Sequence, residues 1–382
     1  MRKKIGARPG PAKTDAATIY DVARVAGVSS ATVSRALANP ERVAIATRER
    51  VAAAVRELAY TPQLSARALR AKARIVLVLI PRLGSPFFTP FLDSVTDLLS
   101  ESGLCVVIAD LHGSRKKEGH YARLIREGQF AGVVLSTGRI PTDTTVKAAG
   151  LSDVPIVLAY NEIPGLDDLP LFDIADRDAA RRIVTYLISI GHRRIAHIKG
   201  PDWAIEAQER YAGYVEALTA ADLAIDEDLV WEGDFYLGSG IAAAGRFLAH
   251  AERPTAVFAG NDQMAMGFIT ELKSAGVSVP GEVSVAGFDD IEYSVIFDPP
   301  LTTMHQPRAE IGRLAALELL RRIDRLDAGG KPGRVRLDCE LVIRESTRPL
   351  RQAGSAVVGA ATRGVKPGSS RGTRTRTTAA SL

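Results

Sequence analysis

The chain has 382 residues, 46% hydrophobic and 24% charged, with two cysteines and no apolar run long enough to span a bilayer. That profile fits two or three soluble domains and excludes a wholly disordered or collagen-like chain, a transmembrane helix, a disulfide scaffold and a cysteine zinc site. The formal net charge of +5 conceals a segregation: residues 1–74 carry +10, residues 75–350 carry −11 and residues 351–382 carry +6.

A basic end on an acidic body points to a polyanion partner at that end. Residues 1–17 are a basic extension lacking the apolar core of a secretory signal, so a cytoplasmic, nucleoid-associated protein is expected. Thr18-Ile19-Tyr20-Asp21 has the form of a capping box, and Ile19, Val22, Ala23 and Ala26 then share one helical face. Gly27 supplies a turn residue, and Ser29 can cap a second helix on which Val33 and Leu37, four apart, are expected to face inward. Asn39-Pro40 breaks the chain, and Thr47 can cap a third helix along which Val51, Val55 and Leu58 recur. Three short helices with a glycine turn after the first describe a helix-turn-helix over 18–62.

In that geometry the first turns of the second helix reach base edges in the major groove. With Val33 and Leu37 inward, Ser30, Ala31 and Arg35 face the groove. Arg35 can bond guanine bidentately, Ser30 suits several bases, and Ala31 can touch a thymine methyl. Ser29, Thr32 and Ser34 are better placed for phosphates, which set register, and Thr18 and Tyr20 join the DNA contacts.

The segment TIYDVARVAGVSSATVSRALANPERVAIATRERVAAAVRELAYTPQLSARALR resembles the DNA-binding headpiece of the lactose/galactose repressor (LacI) family from Thr18 to Arg70. Residues 63–74 have too little apolar surface to form a helix alone. The resemblance implies that they are a hinge helix and linker that order on DNA and insert Leu69 into a minor-groove step, with Arg70 beside it. A plain linker with Leu69 packed on the core is the alternative. Gln63 stands where the family often has Asn.

From Ile75 the pattern changes to short β-rich runs alternating with amphipathic stretches. Candidate strands are Ile75–Ile80, Leu104–Ala109, Val133–Leu135, Ile156–Leu158, Ile195–Ile198, Ala256–Ala259 and Val283–Gly287. Cys105 and Cys339 lie in such runs and read as reduced core thiols. Strand–helix alternation implies an α/β fold of parallel sheets flanked by helices, and the stretch 75–350 is long enough for two similar subdomains. We expect about 75–173 with 306–330 to form one and about 174–305 with 331–350 the other.

Ligands bind outside the carboxyl ends of such strands. Residues there include an aromatic pair expected to be exposed, Phe87 and Phe88, then Tyr160 and Asn161, Phe235, Asn261 and Asp262, Asp289 and Asp290, and Gln306. Aromatic faces among carboxylates and amides suit a polyol or other neutral polar ligand. Asp262 reads as a helix N-cap.

The body also resembles the LacI family, through GHRRIAHIKGP, RYAGY, GDF, NDQMAMG, GEVSVAGFDD and PPLTTMHQP. The resemblance implies a periplasmic-binding-protein-like core with an effector cleft between subdomains, lined by Phe87, Phe88, Phe235, Asn261, Asp289 and Gln306. Sugar-binding members commonly have Asp where Tyr160 stands and Arg where Gln208 stands, so the usual hexose clamps are missing. Arg210 remains to hold either a ligand oxygen or a structural carboxylate.

Two rival classes are open to test. Gly238-Ser239-Gly240-Ile241-Ala242-Ala243 fits a dinucleotide-binding pattern, but Glu232 to Leu237 separate it from the strand-like Leu229–Trp231. An exported solute-binding protein would need a leader and no headpiece. No metal-ligand spacing or cofactor motif stands beside these, so neither enzyme nor cofactor is expected. Residues 351–382, rich in Gly, Ser, Thr and Arg, read as a disordered basic tail with no leucine heptad. The expectation is an allosteric transcription regulator with repression as its sign. As a homodimer it would bind double-stranded DNA at a palindromic operator, under control of a small-molecule effector such as a sugar.

Overall fold

The computed structural model describes residues 18–38, 40–58, 74–111, 115–126, 129–137, 154–163, 167–324 and 333–350. The basic extension, Gln63, Leu69, Arg70 and the tail 351–382 lie outside the described residues.

The headpiece consists of α1 (Ile19–Ala26), α2 (Ser30–Ala38), a 3-10 turn at Pro40–Arg42 and α3 (Ile45–Glu57). The capping box of α1 is reciprocal: Asp21 N donates to Thr18 Oγ1 at 3.4 Å and Thr18 N to Asp21 Oδ2 at 3.0 Å. Gly27, at φ 62° in the left-handed region, ends the helix, and Val28 N donates back to Ala23 O at 3.0 Å. Ser29 caps α2 by accepting from Thr32 N at 3.1 Å.

Val22, Ala23, Ala26, Val33, Ala36, Val51 and Ala54 form a buried core of small side chains. Two expectations fail here. Leu37 is 38% exposed, and Ala36 occupies the inward position instead. Positions three and four after Val33 share its face, and the close approach to α1 admits the smaller one. Thr47 is not a cap: α3 begins at Ile45, so Thr47 lies in its first turn and donates its N–H to Ala44 O.

The body continues with β1 (Ile75–Ile80), α4 (Thr89–Glu101), β2 (Cys105–Asp110), α5 (Arg115–Arg126), β3 (Gly132–Leu135), β4 (Ile156–Ala159) and β5 (Leu171–Ile174). It proceeds through α6 (Asp176–Ser189), β6 (Ile195–Ile198), α7 (Ile205–Ala220), β7 (Val230–Trp231), α8 (Leu237–Ala249), β8 (Ala256–Ala259) and α9 (Asp262–Ser274). The remainder is β9 (Ser284–Ala286), α10 (Tyr293–Ile296), β10 (Thr303–His305), α11 (Arg308–Ile323), β11 (Arg334–Leu337) and β12 (Glu340–Val342).

Two compact units result, with the chain crossing between them at Asp173/Ile174, Gln306/Pro307 and Leu337/Asp338. The first holds a six-stranded sheet of order β11-β5-β4-β3-β1-β2, and the pairs among β1 to β5 are parallel. The second holds a parallel sheet of order β7-β6-β8-β9 and an antiparallel pair β10-β12. In the first, β3 and β4 are buried along their whole length, the signature of a sheet covered on both faces.

Residues 331–337, expected with the second subdomain, instead supply β11 as an edge of the first sheet. The reason is electrostatic as well as geometric. The buried Asp173 carboxylate accepts from Arg336 Nη2 at 2.7 Å and from Arg334 Nη2 at 3.1 Å, and Leu171 N donates to Gly333 O. Cys105 also departs from expectation. It lies on β2, which among the described residues has a strand partner on one side only, and is exposed, as are Val107 and Ile108 at 42% and 36%. Cys339 is buried, and burial pushes its thiol up to about 12.

DNA-reading helix and candidate effector-binding residues

Helix α2 turns Val33 and Ala36 into the headpiece core, which leaves Ala31, Ser34 and Arg35 exposed and Ser30 half-buried on the opposite side. The Ser29 and Thr32 hydroxyls lie 2.9 Å apart at the amino end of α2. At the start of α1, Tyr20 is 73% exposed, and the Thr18 hydroxyl donates to Asp21 at 2.7 Å. That hydrogen bond, with those of the Thr18 N–H and Arg24, holds the Asp21 carboxyl below its ordinary range.

In the first unit the strand order reverses direction between β1 and β3, so the ends of these strands form the crevice where ligands sit in such sheets. The 3-10 turn Pro86–Phe88 follows β1, and its Phe87 ring stands 4.9 Å from Phe88 and 5.1 Å from Tyr160, which follows β4. Phe88 is buried and Phe87 half-buried, so the pair is not an exposed one. Phe88 instead supports Tyr160, 6.2 Å away, and Phe91 supports it from 5.4 Å. Arg308 Nη1 donates to Phe87 O, and its guanidinium lies over the Phe87 ring at 5.7 Å.

The second unit reverses between β6 and β8. Phe235 follows β7, rests its ring against Gly200 and accepts from Asn261 Nδ2 at 3.0 Å. Asn261 caps α9 through Oδ1, which accepts from Met264 N at 3.0 Å. Thus Asn261, not Asp262, is the N-cap. Asp289 Oδ1 accepts from Gln306 Nε2 at 2.7 Å, while the buried Gln306 Oε1 has no hydrogen-bond partner among the described residues. Gln208 is exposed and donates to Asp202 O at 2.6 Å.

Arg210 contacts two carboxylates. Its Nε donates to Asp176 Oδ1 at 2.7 Å, its Nη1 to Gly260 O at 2.7 Å and lies 3.5 Å from Asp289 Oδ1. The guanidinium stacks over Phe288 at 3.9 Å. Burial favours its loss of a proton, but Asp176 and Asp289 outweigh that and hold its pKa above the ordinary value. Arg210 therefore holds Asp176 and orients Asp289.

Tyr160 and Phe235 at φ 69° and Asp289 at φ 111° occupy left-handed backbone that L residues rarely adopt. Such strain costs about 1–3 kcal/mol each and concentrates at ligand sites. Sequence reasoning missed Ser136, which follows β3 at the reversal point and is 1% exposed, its hydroxyl without a partner among the described residues. Applying the strand-end rule to β3 would have found it. Asp176 and Arg308 carried no comparable signal.

The profile of bacterial regulatory proteins of the lacI family matches residues 18–63, and that of the periplasmic binding protein-like domain matches residues 184–347. The HTH-type transcriptional repressor CytR of Escherichia coli K12 is 39% identical over 336 residues, covering 88% of this chain and 97% of CytR. The chain belongs to the LacI family. Among solved LacI-family structures, the regulator CelR with cellobiose is 32% identical, with TM-score 0.65 over 86% of this chain and 99% of CelR. The lac repressor dimer bound to operator and the anti-inducer ONPF is 27% identical, with TM-score 0.68 over 87% of this chain and 99% of that one.

As a LacI-family member the protein is a transcriptional regulator with a DNA-binding headpiece and an effector-binding domain, not an enzyme. The glycines of the dinucleotide-like pattern agree. Gly238 and Gly240 lie inside α8, and a Cβ on Gly240 would meet Met264 O at 2.0 Å, so that glycine serves close packing of α8 on α9. No helix among the described residues is long and apolar enough to cross a membrane.

Proposed function

We propose that this chain is a repressor that grips an inverted-repeat operator as a homodimer and whose grip is set by a small polar effector. The observation that carries the reading is the outward face of α2, where Ser30, Ala31, Ser34 and Arg35 stand opposite Val33 and Ala36. Arg35, Ser30 and Ala31 read bases, while Thr18, Tyr20, Ser29, Thr32 and Ser34 set register on phosphates. Residues 63–74 are assigned as the hinge, with Leu69 and Arg70 entering the minor groove, and the basic ends 1–17 and 351–382 as salt-sensitive DNA contacts on the nucleoid.

A second copy is the occupant argued for the edge of the first sheet. A strand edge with no partner among the described residues, carrying exposed Val107 and Ile108, is an association hazard unless covered, and the lac repressor relative is a dimer. On the second unit, Tyr293, Val295 and Ile296 of α10 are exposed apolar side chains as well, at 47%, 56% and 79%.

Effector recognition is assigned to Phe87 and Tyr160 on the first unit, Phe88 acting through Tyr160, and to Gln208, Arg210, Phe235, Asn261, Asp289 and Gln306 on the second, Arg210 acting through Asp289. The paired acceptor and donor groups suit the hydroxyls of a sugar or a nucleoside. Selection of binding sites from random duplexes tests the DNA half: paired inverted half-sites are expected, and enrichment of a lone half-site bound by one chain would refute it. Thermal shift with ribose, cellobiose, adenosine, cytidine and hypoxanthine tests the effector half, since a bound ligand raises Tm.

A further inference from the structure

Asp262 is the first residue of α9, yet it does not cap the helix, because Asn261 already does. Its side chain turns inward and is 0% exposed. There Oδ2 accepts from Ile291 N at 2.9 Å and Ser294 Oγ at 2.7 Å, and Oδ1 accepts from Thr303 Oγ1 at 2.6 Å. Its own N–H donates to Phe288 O at 2.8 Å. Even Gly287 is shaped around it, since a Cβ there would sit 2.2 Å from Asp262 Oδ1. No ion pair to Asp262 forms among the described residues, so a buried carboxylate is retained without a cation to neutralise it. A carboxylate so placed is costly unless donors meet it, and here Ile291, Ser294 and Thr303 do.

What those bonds hold is the turn 287–294, whose centre is Asp289 and Asp290 at φ 111° and 54°. Strained backbone persists only where its surroundings over-determine it. Asp262 supplies that constraint on the far side of the turn: bonds to Phe288 and Ile291 bracket Asp289, and Ser294 and Thr303 fix the carboxylate in place. Gln306 and Arg210 constrain the Asp289 side chain from the other side.

We propose that Asp262 is a positioning residue for effector recognition, whose buried carboxylate clamps the 287–294 turn so that Asp289 is presented in the conformation that meets the ligand. The inference rests on the effector reading above. It predicts a split between ligand affinity and operator affinity that a merely structural residue would not produce.

The test uses the full chain as Asp262→Ala, Asp262→Asn, Ser294→Ala and Thr303→Val. Ligand affinity is measured by calorimetry with whichever of ribose, cellobiose, adenosine, cytidine or hypoxanthine raises the wild-type Tm, and operator affinity by band shift without ligand. In Asp262→Asn the amide oxygen can still accept from Ile291 and Ser294 while the amide N–H donates to Thr303, so ligand affinity should stay within about threefold of wild type. Asp262→Ala leaves buried donors unmet and should weaken ligand binding about tenfold or more, with Ser294→Ala and Thr303→Val in between. Operator affinity without ligand should stay within about twofold throughout, because none of these substitutions touches the headpiece. Should alanine fail to fold, the two hydroxyl variants carry the same comparison. Unchanged ligand affinity in these variants, or equal loss of ligand and operator binding, would overturn the proposal while leaving the effector site in place. If no compound raises the wild-type Tm, the effector reading itself falls and this inference with it.

Discussion

Replacing Arg210 by methionine keeps much of the side-chain volume and removes the guanidinium shared by Asp176 and Asp289. Those side chains are 11% and 6% exposed, so water cannot take over as their partner. Breaking a buried pair by deleting one member costs about 3–5 kcal/mol, chiefly because a charge is left uncompensated. Gly260 O loses its donor as well, and the carboxylates relieve part of the penalty by taking up protons. For a unit of roughly 150 residues, where 1 kcal/mol moves Tm by about 2–4 °C, the transition should fall by about 6–20 °C near neutral pH. Differential scanning calorimetry of the full chain reads it directly. Adding Asp176→Asn removes one stranded charge and should restore at least half of the loss, and lowering the pH should narrow the gap between Arg210→Met and wild type. A loss below about 1 kcal/mol, or a double variant no better than the single, would show that Arg210 does not hold these carboxylates in solution.

Thr18→Ala should destabilise the headpiece by about 1 kcal/mol through loss of the capping box, seen as faster amide exchange in α1 with the body unaffected. Arg35→Ala should relax preference at one operator base by about 1–3 kcal/mol, and an unchanged selected sequence would mean that Arg35 touches only phosphate. Two buried groups titrate in opposite senses. Burial raises Asp262 from 3.8 to about 6, so its contribution is complete below about pH 4 and lost as pH rises through 6. Burial lowers His197 from 6.5 to about 4, so its contribution is complete above about pH 6.5 and lost as pH falls through 4. Each is on the order of 3 kcal/mol, and they offset one another across that window. Asp262→Asn should therefore expose a stability that falls on acidification, and His197→Gln one that rises; parallel pH profiles for both variants would contradict the assignment.

The local chemistry was legible wherever one residue type decides a conformation. Thr18 and Asp21 announced the capping box, Gly27 the left-handed helix end, and the β-rich runs the buried parallel strands. The strand-end rule likewise led to Tyr160, Asn261 and Asp289. What stayed hidden depended on which neighbour arrives. Leu37 and Ala36 are both compatible with the inner face of α2, and only the approach of α1 selects alanine. Phe88 looked like a ligand-facing ring but lies beneath Tyr160. Strand β2 reads as a core strand because periodicity does not reveal that it stands at the edge of the sheet among the described residues. Nothing local to 334–337 says that this segment returns to the first sheet, because the deciding contact is with Asp173, 161 residues away for Arg334. Arg210 is the sharpest case: the sequence shows a cation near a ligand site, and only the fold shows that two carboxylates already claim it.

The central claim is that effector occupancy sets the grip of a paired headpiece on DNA. Its most direct test is the affinity of the full chain for a duplex obtained by site selection, measured with and without the compound that raises its Tm. The account predicts a twofold-symmetric complex whose affinity changes by about five- to 150-fold with the compound, and a ligand affinity altered by the same factor when DNA is present. An operator affinity indifferent to a compound that demonstrably binds the body would contradict it.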